Sequence, residues 1–369
     1  MKKIEDLKDL NKKKILLRLD LNVPLKDSKI TDATRIDKIL PTLKYLIKKN
    51  SQVIIISHIG RPNGKIDSKL SMLPVCEYLS SKLNKEVELI NKRIFDINPV
   101  LFTENNSNKI FFLENIRFYE QEEKNDEEFA KKLSSFGEIY VNDAFSCSHR
   151  KHASIEKITK FLPSYCGIQM NAEVNALKRV TTDIKKPIAC IVGGSKISTK
   201  ISVIKNLIPR FENIIIVGAM ANNIIKFKGF NIGNSIIENN CENIVEEIFS
   251  LANRNSCKII FPKDVAVGKK INDKAKIKDL SNIQDDDMIL DIGPKTINLI
   301  NSILENSKTV LWNGPAGYFE NSNFAIGSKE IAKKIVSLGN KIYSVAGGGD
   351  TIAVINKINA FKKLDFVST

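Results

Sequence analysis

The sequence predicts an α/β fold of doubly wound parallel sheets, and three observations carry that prediction. Nine short apolar, β-branched runs recur along the 369 residues. Their apolarity is continuous rather than alternating, which marks strands buried on both faces beneath helices. Most of them are separated by longer stretches of helical periodicity, such as Ile36, Leu40, Leu43 and Ile47, so strands and helices alternate.

In chain order the runs are KILLRL (14–19), VIIIS (53–57), IFFL (110–113) and EIYV (138–141), then IACIV (188–192), IIIV (214–217), KIIF (258–261), TVLW (309–312) and KIYSVA (341–346). The acidic stretch EQEEKNDEEF (120–129) reads as an exposed helix start. IQMNAEVNALKRV (168–180) carries Met170, Val174 and Leu177 at helical spacing, with four runs before it and five after. It stands where a helix would join two domains, although the same periodicity fits a core helix inside one. The first reading gives domains over 1–167 and 184–369 around a helix at 168–183.

Length and composition set the class. With 43% apolar and 27% charged residues, the chain suits a soluble globular protein long enough for two cores. No apolar stretch approaches the ~18–20 residues of a membrane helix. The N-terminal MKKIEDLKDLNKKK has no apolar run of signal-peptide length. Six cysteines without a CxxC pair read as reduced thiols, which places the chain in the cytoplasm. The net charge of +15 is spread evenly, +7 up to residue 170 and +8 beyond it. There is no basic arm or aromatic-interleaved patch, so the field suits small anions rather than nucleic acid or a membrane.

Ligands of open α/β sheets bind beyond the carboxyl ends of the strands. In the first half those loops hold Asp20 and Asn22 (RLDLNVP), His58 and Arg61 (SHIGRP), Arg117 (LENIRF), and His149, Arg150 and His152 (NDAFSCSHRKHAS), with Arg35 in TDATRI. The chain has 48 lysines and nine arginines, and most of the arginines fall in this half. Arginine grips carboxylate or phosphate with two parallel hydrogen bonds where lysine offers a point charge. Converging Arg and His loops therefore predict a pocket for a small polyanion. The His149/His152 pair lacks an accompanying carboxylate or thiol ligand, so zinc ranks below the anion. Singly, each residue has a plainer reading: Arg35 can simply pair Asp32 or Asp37.

The second half uses glycines. GGSKISTK carries Lys196 and Lys200, four apart and so expected on one helical face; WNGPAGYFE ends at Glu320; and SVAGGGDT leads to Asp350 and Thr351. Glycine lets backbone N–H groups approach phosphate, and a helix N-terminus adds positive potential. Asp350 reads either as an N-cap or as a hard oxygen ligand for Mg²⁺. An anion clamp in one half and a nucleotide-like half suggest phosphoryl transfer. No dedicated general base is evident, although Asp20 could be one; that suits an acceptor already ionised, such as a carboxylate.

KILLRLDLNVP, SHIGRP, LENIRF, NDAF…SHR.HAS, GGSKISTK, WNGPAGYFE and GGGDT, in this order, resemble the phosphoglycerate kinases over nearly the whole chain. The resemblance implies two Rossmann-like domains joined by an interdomain helix and closing about a hinge. It implies a monomer that moves phosphate between 1,3-bisphosphoglycerate and ADP, giving 3-phosphoglycerate and ATP, with Mg²⁺. Asp20 and Asn22 would hold the glycerate. Arg35, His58, Arg61, Arg117 and Arg150 would surround its phosphate and carboxylate, and Arg35 would also steady the transferring group. Lys196 and Lys200 would neutralise phosphate charge during transfer. The nucleotide would meet Gly194, Lys200, Gly218, Asn313, Pro315, Gly348, Gly349 and Thr351, with Glu320 on the ribose and Asp350 on the metal.

Two departures accompany the resemblance. VGAMAN keeps only Gly218 of a glycine-rich turn, and the chain ends at DFVST, where a second glycine-rich loop and a tail would be expected. The latter raises a second expectation, a form that binds ligands but is catalytically impaired. A nicotinamide-dependent dehydrogenase would also have Rossmann-like halves, but its GxGxxG fingerprint is missing.

Overall fold

The computed structural model describes residues 1–103 and 109–368. It divides into two compact units, Met1–Asn175 and Ala176–Thr369. The boundary falls inside a single helix, Ile168–Thr181, which covers the segment expected to join two domains.

In the first unit the strands are β1 (Lys14–Leu19), β2 (Leu25–Lys26), β3 (Lys29–Ile30), β4 (Gln52–Ile56), β5 (Val87–Ile90), β6 (Ile110–Leu113), β7 (Ile139–Asp143) and β8 (Ser164–Cys166). Its helices are α1 (Thr34–Lys48), α2 (Leu73–Leu83), α3 (Glu120–Glu123), α4 (Glu127–Ser134) and α5 (Ile168–Thr181). Six strands form one sheet in the order β5-β6-β4-β1-β7-β8, every pair parallel. β1 shows why its apolar run is unbroken. Ile15, Leu17 and Leu19 pack with Ile36, Ile39 and Leu43 of α1, while Leu16 turns to the opposite core with Phe129 and Leu133 of α4. With helices on both faces, alternation has no polar side to report.

The second unit contains β9 (Ile188–Val192), β10 (Asn213–Ile216), β11 (Lys258–Ile260), β12 (Asp264–Gly268), β13 (Lys276–Asp279), β14 (Met288–Ile292), β15 (Thr309–Asn313), β16 (Tyr343–Gly347) and β17 (Phe366–Ser368). Its helices are α6 (Ile201–Leu207), α7 (Ala221–Phe227), α8 (Glu242–Arg254), α9 (Pro294–Glu305), α10 (Ile326–Leu338) and α11 (Gly349–Lys357). The parallel sheet runs β11-β10-β9-β15-β16-β17. Counted in chain order within that sheet this is 3-2-1-4-5-6, the order of the dinucleotide-binding fold, and it reverses between β9 and β15. The first unit's sheet reverses between β1 and β7. Beyond those two reversal points lie the loops that the sequence singles out.

All nine expected strands are present, and others join them. The antiparallel sheet β13-β12-β14 had no sequence forerunner. It is tied to α9 by Asp264, whose buried carboxylate accepts the N–H groups of Lys295 and Thr296 at 3.0 and 2.8 Å, so a strand residue caps a helix N-terminus. The acidic stretch needs correction: it forms two short helices, and Glu122, in the first of them, is fully buried rather than exposed. Its carboxylate is satisfied by the Ser154 N–H and hydroxyl at 2.9 and 2.6 Å, which is why burial is tolerable. Among the described residues no helix is long and apolar enough to cross a membrane.

Candidate active site

In the first unit the strand-end loops interlock through side chains. Asp20, just past β1, accepts Arg35 Nη1 at 3.0 Å and the Ser146 hydroxyl, which comes from the loop after β7. Arg35 Nη1 also reaches the Asn22 carbonyl at 3.3 Å. Asn22 Oδ1 in turn accepts the Gly60 N–H at 2.8 Å, and the Gly60 carbonyl accepts Arg117 Nη1 at 2.9 Å. Gly60 can serve both because it turns with φ +65°, a conformation side chains disfavour. Asn115 completes the frame. Fully buried, it caps the turn Ile116–Phe118 by accepting the Arg117 N–H at 3.1 Å, and its amide donates to the Ile59 and Leu70 carbonyls.

Arg117 is only 3% exposed, and its Nε and Nη2 have no hydrogen-bond partner. The nearest carboxylate, Glu123, stands 3.5 Å from Nε. Burial, then the neighbouring Arg150 cation, lowers its pKa. Leaving a buried guanidinium short of acceptors is expensive unless an anion supplies them. Arg61 is exposed and Arg150 half-buried, and neither side chain has a protein partner among the described residues. His58 is buried, and its pKa is pushed far below the usual imidazole range by burial and by Arg18, Arg117 and Arg150. The loops thus bring Asp20, Asn22, Arg35 and Arg117 into one network, with a His58 nitrogen within 4.8 Å of an Asp20 oxygen and Arg61 and Arg150 following on the same loops.

Asp20, His58 and Cys147 each place a possible ligand atom within 4.8 Å of the others. The surrounding charge argues against a metal: Asp20 is paired with Arg35, His58 accepts from Arg18, and Arg117 and Arg150 add to the positive field. His149 is exposed, while His152 lies 3.7 Å from Glu122. Sequence reasoning missed Arg18, Asn115, Ser146 and Ser154. Arg18 had a signal, since it is one of the nine arginines, but inside KILLRL it reads as part of a strand.

The second unit is built from backbone. A Cβ on Gly193 would lie 2.2 Å from the Pro315 carbonyl oxygen, and one on Gly314 (φ +108°) 2.3 Å from that of Gly193. A Cβ on Gly218 (φ +69°) would lie 2.9 Å from the Gly194 nitrogen and 3.0 Å from the Pro315 carbonyl oxygen. The loops after β9, β10 and β15 therefore meet main chain to main chain. Beside them opens a cavity of about 270 Å³ whose wall includes Gly194, Gly218, Pro315, Glu320 and Asp350. Apolar side chains such as Leu290, Ile289 and Phe319 supply the rest of that wall, a composition suited to a flat organic ring.

Other residues assigned to this half stand off the cavity wall. Lys200 Nζ donates to Asn313 Oδ1, and Asn313 Nδ2 donates to the Gly347 carbonyl at 3.1 Å. Thr351 is fully buried and accepts the Gly314 N–H at 2.7 Å, locking α11 to the loop after β15. Gly348 and Gly349 are exposed at the start of α11. Two expectations are corrected. Lys196 and Lys200 do not share a helical face: α6 begins only at Ile201, because Glu238 takes the Ser198 N–H and hydroxyl and holds the preceding loop as a turn. Asp350 is not an N-cap either; Gly348 occupies that position, and Asp350 is exposed with no protein partner among the described residues.

Two Rossmann-like units, one with a cationic clamp and one with a glycine-framed cavity, define a phosphotransferase of the two-domain α/β kind. The phosphoglycerate kinase family model matches residues 4–369, and the chain belongs to that family. A phosphoglycerate kinase of Wolbachia pipientis (subsp. Culex pipiens, strain wPip) is 45% identical over 365 residues, covering 98% of this chain and 92% of that relative. One from Chelativorans sp. (strain BNC1) is 40% identical over 372 residues, covering 100% and 94%. Among solved structures, the phosphoglycerate kinase of Coxiella burnetii superposes with TM-score 0.87 at 35% identity, covering 100% of this chain and 93% of that one.

Proposed function

We propose that the protein catalyses Mg²⁺-dependent, reversible phosphoryl transfer between 1,3-bisphosphoglycerate and ADP, giving 3-phosphoglycerate and ATP, as a monomer in the cytoplasm. Family membership makes it a kinase of glycolysis, and nothing in the comparisons favours the alternative of an impaired ligand binder. The observation that carries the substrate side is Arg117, buried with two unmet donor nitrogens. A phosphate or carboxylate is the group that completes it. Six buried free cysteines support the cytoplasmic assignment.

In this reading Arg117, Arg61, Arg150 and His58 donate to the glycerate's phosphate, while Asp20 and Asn22 accept from and orient its polar groups. Arg35, steadied by Asp20, neutralises the transferring phosphoryl group. Because that transition state is loose, fixed cations rather than covalent chemistry lower the barrier. The accepting carboxylate is already ionised near neutral pH, so no side chain need remove a proton. On the other unit Glu320 bonds the ribose, Lys196 and Lys200 compensate phosphate charge, and the N–H groups of Gly348 and Gly349 at the start of α11 cradle phosphate oxygens. The free Asp350 carboxylate suits one ligand position of a Mg²⁺ that keeps its remaining sites for phosphate and water. That ion would supply further charge neutralisation when bound.

The test is ATP consumption by the purified chain with Mg²⁺, with and without 3-phosphoglycerate as sole acceptor. Turnover that requires 3-phosphoglycerate is expected. ATP hydrolysis indifferent to the acceptor, or no turnover and no thermal stabilisation by 3-phosphoglycerate, overturns the assignment.

A further inference from the structure

Beneath the clamp lies a buried cation that the reading above does not use. Arg18, on β1, is wholly inaccessible, and no carboxylate pairs with it among the described residues. Its Nε donates to Ser154 Oγ at 3.0 Å, one Nη donates to the Leu19 carbonyl, and Nη2 stands 3.1 Å from Nδ1 of His58. Ser154 is itself fixed by Glu122, which accepts both its hydroxyl and its N–H. Glu122, Ser154, Arg18 and His58 thus form one chain of hydrogen bonds running from a buried carboxylate to the site.

The chemistry of that chain has a single consistent solution. A guanidinium has only donors. The His58 atom facing it must therefore present a lone pair, and a ring whose Nδ1 accepts carries its proton on Nε2. Nε2 has no protein partner among the described residues. We infer that Arg18 is a positioning residue that holds His58 as the neutral Nε2–H tautomer, so that the ring offers the substrate anion one fixed donor. The inference rests on the phosphoglycerate reading of the site.

The groups facing His58 from neighbouring elements act in the same sense. Arg117 follows β6, and Arg150 and His152 follow β7. Burial, then the positive charges of Arg18, Arg117 and Arg150, disfavour the imidazolium. Asp20 and Cys147 are the groups of opposite tendency; Asp20 is committed to Arg35 and Ser146, and burial raises the Cys147 thiol's pKa so that it stays neutral. Neutrality is useful to the clamp. Binding of the glycerate phosphate then does not weaken as a histidine discharges across the physiological range.

The test uses the unaltered protein first. Imidazole ¹⁵N spectra are expected to show His58 protonated at Nε2 and bare at Nδ1 throughout about pH 5–8. The opposite tautomer, or a His58 resonance that titrates in that range, overturns the inference. Saturation with 3-phosphoglycerate should shift the Nε2 signal. If the tautomer is as inferred but 3-phosphoglycerate fails to bind, it is the substrate reading that fails. In the second arm, Arg18→Gln and Arg18→Lys are followed by KM for 3-phosphoglycerate against pH. The Gln variant, if folded, should raise KM for 3-phosphoglycerate roughly tenfold with kcat changed less, because the unpinned ring divides between tautomers; burial and the Arg117 and Arg150 cations still keep it neutral. Lysine, which keeps a donor, should restore most of the lost affinity and the single tautomer. A folded Gln variant whose KM and ¹⁵N tautomer pattern match those of the unaltered protein overturns the proposal. Ser154→Ala, which removes the acceptor of Arg18 Nε and one of the donors to Glu122, should move the ¹⁵N pattern toward mixed tautomers in a folded variant, and an unchanged pattern counts against the relay.

Discussion

In the proposed reading, the two units solve different recognition problems on nearly the same sheet. In the first, charge is carried by side chains that their neighbours fix: Asp20 on Arg35, the Gly60 carbonyl (its N–H held by Asn22) on Arg117, Arg18 on His58. In the second, the loops approach one another through glycine main chain, and the charged groups Lys196, Glu320 and Asp350 stand exposed. A small dense anion offers little surface, so its affinity must come from cations already in place. A nucleotide offers a ring and a phosphate chain, so it needs a cavity and accessible N–H groups. Side-chain truncation should therefore strike hardest in the first unit, and added methyls in the second.

The largest effect expected is from Arg117→Ala. Removing a buried guanidinium whose donors await an anion should lower kcat/KM for 3-phosphoglycerate by about 10²–10³-fold, some 3–4 kcal/mol. The affinity for ATP should be unchanged when measured by calorimetry in the absence of 3-phosphoglycerate. An equal loss for both ligands would erase the distinction between the units.

This division of labour was partly legible in the sequence. Continuous apolar runs reported strands covered on both faces, and the scarcity of arginine drew attention to Arg35 and Arg117, which the first unit's loop network holds. What was not legible has physical reasons. β5, β8, β13 and β17 are sheet edges, short and only partly buried, so their side chains carry little pattern. Arg18 and Glu122 were hidden because a strand residue and a member of an acidic run look ordinary until tertiary contacts bury them. The Lys196–Lys200 spacing misled because periodicity cannot see Glu238, 40 residues on from Ser198, holding that loop out of the helix.

Buried carboxyls test whether the units also share something. Asp143 ends β7 and accepts the Met170 N–H of α5 at 2.6 Å; Asp291, on β14, accepts the Gly327 N–H of α10 at 2.8 Å. Burial pushes them up to about 6 and about 7 respectively. For an acid raised above its unfolded value, the folded state holds the proton more tightly. The stabilisation is complete below about pH 4 and is lost as pH rises to about 6 for Asp143 and about 7 for Asp291. The loss should approach about 3 kcal/mol for Asp143 and about 4 kcal/mol for Asp291. Asparagine cannot ionise, so urea unfolding of Asp143→Asn and Asp291→Asn should lack the corresponding slope. Each variant should gain on the wild type as pH rises. Parallel curves for variant and wild type would remove the group concerned from the titration.

The smallest effects separate glycines that the fold needs from one that a ligand needs. At Gly314 an alanine methyl would meet the Gly193 carbonyl and force φ +108° on a residue with a Cβ, so Gly314→Ala should cost about 2 kcal/mol of stability. Gly349 differs: nothing lies within 4 Å of its would-be Cβ, its φ is not positive, and it opens α11. Alanine there should raise stability by up to about 1 kcal/mol through helix propensity. If nucleotide phosphates rest on that helix start, the same methyl intrudes on them, and KM for ATP should rise by roughly 3–10-fold while KM for 3-phosphoglycerate does not move. A more stable Gly349→Ala enzyme with unchanged KM for ATP would place the phosphates elsewhere. A less stable one would mean that Gly349, like Gly314, serves the fold.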